Sequence, residues 1–202
     1  VAYYRRSLPR FEQIKSWIDQ KNIGEIRHVN WYFMRPPSTV DVSGEYNWRT
    51  DISVATGGYF DDLASHGLDL FVYLLGEIKN ASGLNLNQQN LYSAKDAIAA
   101  TWLHKSGITG TGSWNFGCQF LEDTATIYGS KGKITFSIFE ENNILLETEN
   151  NTTELFIPHP ENVQLFHVKK MQEHLSGISI HPATGLSAVH TNWVMDQIMA
   201  EM

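Results

Sequence analysis

The sequence predicts an α+β domain: an open, largely antiparallel sheet with helices packed on one face. Two observations carry that expectation. Apolar residues recur at helical spacing early and late in the chain, and the stretch between breaks into short strand-like runs joined by hairpin-like turns. At 202 residues, with 42% hydrophobic and 12% aromatic side chains, the chain can bury the core of a single domain, residues 1–202.

The opening VAYY reads as strand. Leu8 to Ile18 then repeats apolar residues at helical spacing, with Ser7 as candidate N-cap and Pro9 near the first helical position. Asn22 and Gly24 end that helix. Ile26 to Phe33 alternates in strand fashion until Arg35-Pro36-Pro37 stops it. Residues 34–56 show no period, and so long a loop inside a compact domain is often functional. A helix follows at 57–76, then strands near 81–86, 94–103, 110–116, 124–128, 133–136, 144–148 and 155–157. Lys105-Ser106-Gly107 and Gly129-Ser130-Lys131-Gly132 suit hairpin turns, so neighbouring strands should pair antiparallel. Helices at 163–175 and 184–202 close the chain. The sheet face left uncovered needs a partner or water, and its aromatic residues suit a subunit interface between copies of the chain.

The helix GGYFDDLASHGLDLFVYLLG is the most informative stretch. At about 100° per residue, Asp62, His66, Asp69 and Tyr73 fall within roughly 60° of arc, while leucines, Ala64, Gly67 and Phe71 cover the other side. A wet helix face normally carries Lys, Arg, Glu or Gln. This stripe has none of them, so a row of short polar side chains behind a Gly-Gly opening reads as the wall of a cleft. Asp62 and His66 lie one turn apart and can touch a common ligand. The plain structural alternative stays open here: Asp62 complementing the helix dipole, Tyr73 packing its ring and His66 half-buried with a backbone partner.

A formal charge of −7, with Arg5 and Arg6 the only clustered arginines, argues against a nucleic acid or anionic membrane as partner. No apolar run is long enough to span a bilayer. Cys118 stands alone, which rules out an internal disulfide or a cysteine zinc site and weakly favours a reducing compartment, so a cytoplasmic location is expected. The chain opens on Val1 and reads as a fragment of something longer, leaving an export signal open. Gly110-Thr111-Gly112-Ser113-Trp114-Asn115-Phe116-Gly117 lacks the third glycine of a dinucleotide fingerprint and runs into strand-like sequence. Ser65 beside His66 lacks a nucleophile elbow. Asp62, His66 and Asp69 could give two metal ligands, with His159 or His167 as a third, but no H-x-x-x-H pattern supports this and no metal is expected. His167 and His174 read as a partly exposed helix face.

Four segments in order, VAYYRRSLPRFEQIKSWIDQKNIGEI, NWRTD, GGYFDDLASHGLDLFVYLLG and DTATIYGSKGKITF, resemble the C-terminal, substrate-binding domain of the Gfo/Idh/MocA family of oxidoreductases. The resemblance covers essentially the whole chain. It implies a two-domain subunit whose N-terminal Rossmann domain, absent from this fragment, binds NAD or NADP, and whose open sheet forms the homo-oligomer interface. Residue by residue, Asp62 and His66 match the family's catalytic pair, while Arg6 and Arg49 match arginines that line the cleft. Trp48 beside Arg49, and Asp69 and Tyr73 on the helix stripe, complete the expected substrate-binding set. The implied reaction interconverts a hydroxyl and a ketone on a sugar, polyol or related cyclic compound, with His66 taking the hydroxyl proton. The fragment alone should be inactive, since the family's Glu-Lys-Pro lysine and glycine fingerprint are missing from it. Ala64 and Tyr59 stand where glycine is common in the family, which narrows the cleft or marks a subfamily. Two other classes remain as expectations to discriminate: a non-catalytic ligand-binding or assembly module, and a metal-dependent hydrolase or lyase.

Overall fold

A computed structural model describes residues 1–200. The elements run α1 (Pro9–Asp19), β1 (Ile26–Met34), α2 (Thr39–Ser43), α3 (Tyr59–Leu75), β2 (Ile78–Leu86), β3 (Ala97–His104), β4 (Thr109–Asn115), β5 (Glu122–Gly129), β6 (Gly132–Phe136), β7 (Ile144–Thr148), β8 (Thr152–Leu155), α4 (Leu165–Leu175) and α5 (Gly185–Met199). Short 3-10 turns form at Tyr4–Ser7 and Trp48–Thr50.

The eight strands make one open sheet in the order β2-β3-β4-β1-β5-β6-β7-β8. β1 lies between the two hairpin series, parallel to β4 and antiparallel to β5, and all other pairings are antiparallel. The expected α+β fold and hairpin links are therefore present. Alternation along the strands divides the faces. Val29, Trp31, Phe33, Ile98, Trp102, Trp114, Ile127, Ile134 and Phe136 are buried in the core, while Tyr32, Leu84, Leu86 and Tyr128 remain exposed. Trp102 and Trp114 thus belong to the core, and the open face carries tyrosine, leucine and threonine instead.

α3 is the central helix of the core, and a glycine fixes how closely it approaches the sheet. Trp31 on β1 is fully buried, donates Nε1–H to Asp123 Oδ1 at 2.9 Å and meets Phe71 and Trp114 edge-on. Any Cβ on Gly67 would run into the six-membered ring of Trp31. The Gly-Gly opening is equally constrained. Gly58 has φ +61°, and a Cβ there would stand 2.7 Å from the Lys95 carbonyl, while Gly57 donates its N–H to Asp61 Oδ2.

The structure corrects several local expectations. The opening residues form a 3-10 turn, not a strand, and Ser7 is buried within that turn; Leu8 occupies the N-cap of α1 without a side-chain cap bond. β2 starts at Ile78 and β3 at Ala97, while β8 precedes the 155–157 run. The loop at 34–56 holds α2, whose Ser38 cap accepts from Asp41 N, and the Trp48–Thr50 turn. The last helix ends at Met199, and the final two residues of the expected helix lie outside the described residues. No helix among the described residues is long and apolar enough to cross a membrane.

Because Trp31 is locked by its own hydrogen bond and neighbours, Gly67→Ala is expected to destabilise the fold by about 2 kcal/mol or more. Urea denaturation should show the lowered midpoint, and an unchanged midpoint would mean that α3 can lift off the sheet freely.

Candidate active site

The Tyr4–Ser7 turn brings three successive side chains against α3, each with a different task. Arg6 turns inward. Its Nε–H and one Nη2–H donate to the two oxygens of Asp69 at 2.7 and 2.6 Å, and Nη1 donates to the Pro182 carbonyl at 2.9 Å. Thr191 on α5 adds a hydroxyl to Asp69 Oδ1, and the Tyr73 ring lies 5.5 Å from the guanidinium. Asp69 is completely buried. Of the residues expected to line a substrate cleft, Arg6 and Asp69 thus form a buried pair, with the partly buried Tyr73 beside it, that joins the opening turn, α3 and α5.

Asp62 and His66 lie farther toward the N-terminal end of α3, at its half-buried edge. The loop supplies Arg49, whose Nε–H donates to Asp62 Oδ2 at 2.7 Å and whose guanidinium stacks on Trp48 at 4.3 Å. This placement has a visible cause. Tyr59 donates its hydroxyl to Asp41 Oδ2 at 2.8 Å and accepts from Asn47 Nδ2 at 2.9 Å, while Asn47 Oδ1 accepts from Arg49 N. Tyr59 therefore pins the loop that aims Arg49. Asp62 Oδ1 accepts no hydrogen bond from the described residues.

His66 is framed by aromatic rings. Tyr3 and Tyr4 both lie 5.7 Å away between centroids, and Phe139 lies 6.4 Å away edge-on. Its Nδ1 is buried without a hydrogen-bond partner. Burial lowers the His66 pKa to about 4, the neighbouring Arg5 cation pushes the same way, and Asp62 opposes both. The sequence suggests an imidazole titrating near neutrality, whereas in the folded chain it is neutral well below pH 7.

Tyr4, Arg5 and Phe139 have no signal in the helix periodicity. Phe139 is presented by a loop whose N–H groups at 139 and 140 donate to Asp123. Arg5 lies over the rings of Phe139 and Tyr4, at 4.3 and 4.9 Å. His159 Nδ1 is also buried and unpartnered, and the Arg10 and Arg5 charges add to burial in lowering its pKa. His167 is buried and meets His181 edge-on at 4.5 Å, so its face of α4 is not the exposed one expected. No group of three His, Cys, Asp or Glu that could hold a metal ion forms among the described residues. A cleft of about 530 Å³ opens on the adjoining flank of α3, between Tyr3, Asp61, Ser65 and α5, and neither Asp62 nor His66 lines it.

The chain is an open sheet backed by helices, with a carboxylate and an imidazole one turn apart on the central helix. The comparisons make the family explicit. Residues 11–135 match the model of the GFO/IDH/MocA C-terminal domain, and the chain belongs to that family. Oxidoreductase P35 of Formosa agariphila is 30% identical over 198 residues, which cover 97% of this chain and 60% of that protein. Levoglucosan dehydrogenase of Pseudarthrobacter phenanthrenivorans is 28% identical over 103 residues, 51% of this chain and 23% of that protein. Among solved structures, an Agrobacterium radiobacter oxidoreductase in complex with NAD+, L-tartaric acid and magnesium aligns with TM-score 0.81 at 17% identity, over 98% of this chain and 60% of that one. A levoglucosan dehydrogenase complex with NADH and levoglucosan gives 0.77 at 17% identity, over 98% and 63%. The chain thus spans about three-fifths of the length of the first of these relatives.

Asp69→Asn keeps the shape of the buried pair but removes its charge, leaving the Arg6 guanidinium uncompensated. It should cost about 3–5 kcal/mol, read by urea denaturation. A loss near zero would show that the pair contributes nothing to holding the opening turn on α3.

Proposed function

We propose that residues 1–202 form the substrate-binding and catalytic domain of a longer NAD- or NADP-dependent oxidoreductase that interconverts a hydroxyl and a ketone on a sugar, polyol or related cyclic compound. The observation that carries this reading is His66: half-buried, neutral at pH 7, and one turn from an Asp62 carboxylate with a free oxygen. Family membership and the names of the relatives, an oxidoreductase and a levoglucosan dehydrogenase, support it.

The described residues contain no glycine loop for a dinucleotide. The glycines of β4 lie against tryptophan rings, Gly110 on Trp102 and Gly112 on Trp114. The fit is therefore that of a wall opposite the cofactor, whose phosphates are held by a domain of the parent outside residues 1–202. When bound, the nicotinamide supplies hydride acceptance and donation.

The chain's own residues do the remaining work. Asp62 Oδ1 accepts a hydrogen bond from a substrate hydroxyl and orients the ring, while Arg49 on Oδ2 holds the carboxylate in place. His66 Nε2 takes the proton of the reacting hydroxyl in oxidation and returns it in reduction. Tyr4 and Phe139 hold the imidazole and keep water from its buried edge. The exposed Tyr32, Tyr128, Leu84 and Leu86 on the open sheet face support pairing with a second copy. Residues 1–202 alone are expected to show no turnover.

In the full-length parent, His66→Ala should lower kcat for sugar oxidation by about 10²- to 10⁴-fold; wild-type rates would remove His66 from the mechanism. Asp62→Ala should raise KM and lower kcat together. The pH profile tests the electrostatics. A base must be deprotonated to act, so kcat/KM for oxidation falls only as pH drops through the folded pKa of about 4, not through the ordinary 6.5. Substantial activity at pH 5.5 is the expected result, and an acid limb centred at 6.5 would contradict it.

A further inference from the structure

We infer that Arg5 is the receptor for a carboxylate on the substrate, so that the compound handled at the Asp62–His66 edge is an acidic sugar such as a uronic acid. This deepens the function proposed above and rests on it.

Three arginines are buried around the opening turn and α1, and they are satisfied unequally. Arg6 is paired in bidentate fashion with Asp69. Arg10 donates both Nη groups to the carbonyls of Glu140 and Asn142. Arg5, only 4% exposed, donates Nε–H to the Ile138 carbonyl at 2.9 Å and otherwise meets the side chains of Tyr4 and Phe139. Its Nη1 is buried without a hydrogen-bond partner, and no carboxylate among the described residues lies in ion-pair range of it. A buried guanidinium lacking an anion costs several kcal/mol unless something supplies the countercharge. Burial accordingly pulls Arg5 below the usual guanidinium range.

The location of this unpaired fork is specific. Arg5 is clamped between Tyr4 and Phe139, the same two rings that frame His66, so its free end is held beside the proposed base. The carboxylates nearby are committed elsewhere. Asp123 accepts from Trp31 Nε1 and from the N–H groups of residues 139 and 140, and Asp62 is held by Arg49. The planar fork of a rigid arginine matches a carboxylate through two parallel N–H bonds. Arg6 is ion-paired and Arg10 spends both Nη groups on carbonyls, so of these three buried arginines Arg5 alone keeps an unbonded Nη, and its one charge suits a carboxylate monoanion better than a phosphate dianion.

Calorimetry on the full-length protein with NADH present tests the assignment. The probes are D-glucuronate and D-galacturonate against D-glucose and D-galactose, with inorganic phosphate as competitor. At least one acid is expected to bind ten-fold or more tighter than its neutral counterpart. In Arg5→Gln and in Arg5→Met, whose apolar side chain relieves the buried charge, that acid-to-neutral ratio should fall toward one. Equal affinities, no binding by either acid, a preference surviving in both variants, or displacement of the acid by phosphate at lower concentration would each overturn the proposal. The two readings fail separately. Sugar oxidation that depends on His66 without any acid preference removes only the role of Arg5, and Arg5-dependent acid binding with unchanged His66→Ala rates removes only the catalytic reading.

Discussion

The buried pair between Arg6 and Asp69 is the constraint on which the candidate site depends. It ties the Tyr4–Ser7 turn to the middle of α3, and through Thr191 and Pro182 it also ties both to the C-terminal segment. A turn of four residues has almost no core of its own and would fray without such an anchor. Once Arg6 points inward, the turn geometry sends Tyr4 and Arg5 along the α3 surface toward His66. A buried ion pair seldom adds much net stability, because desolvation cancels most of its attraction. Its value here is positional, since a bidentate fork fixes both distance and orientation.

The polar stripe on α3 is consequently graded along the helix. At Asp69 the carboxylate is fully buried and both oxygens are occupied within the protein; one and two turns earlier, His66 and Asp62 reach the half-buried edge. The same residue types serve as anchor at one end and reactive edge at the other, and burial decides which. Neutralisation follows the same gradient. Arg49 screens Asp62 in a partly exposed pair, while desolvation and the Arg5 cation keep His66 uncharged. The result is a carboxylate held by Arg49 one turn from a neutral imidazole, an arrangement that a pair of freely solvated side chains would not keep.

Much of this was legible in the sequence where period and spacing carry information. The α3 stripe, the hairpin turns and the alternating strands follow from 3.6- and 2-residue periods, and the pairing of Asp62 with His66 follows from one helical turn. Periodicity is silent on what lies opposite a helix. The resemblance placed Arg6, and the helix stripe Asp69, with the cleft, yet each is bonded to the other across 63 residues of chain. Arg5 and Arg6 are adjacent in sequence, and only the 3-10 turn determines which of them meets Asp69. Ser7 failed as a cap for a similar reason: Leu8 occupies that position, and the turn before it buries Ser7. Phe139 lies in a loop held by Asp123, a long-range arrangement that no local pattern encodes.

Tyr59 and Gly67 show how packing reaches the site from opposite directions. Gly67 lets α3 settle on the Trp31 ring, which sets the height of His66 above the sheet. Tyr59 reaches outward and holds the 34–56 loop through Asp41 and Asn47. Removing side-chain bulk at one point and adding it at another are thus complementary. The first fixes the helix against the rigid sheet, and the second fixes the variable loop against the helix. Arg49 can meet Asp62 only when both hold, so the geometry of the reactive edge is inherited from two contacts that lie outside it. Loop changes that preserve the Tyr59 anchor therefore leave the Arg49–Asp62 contact in place.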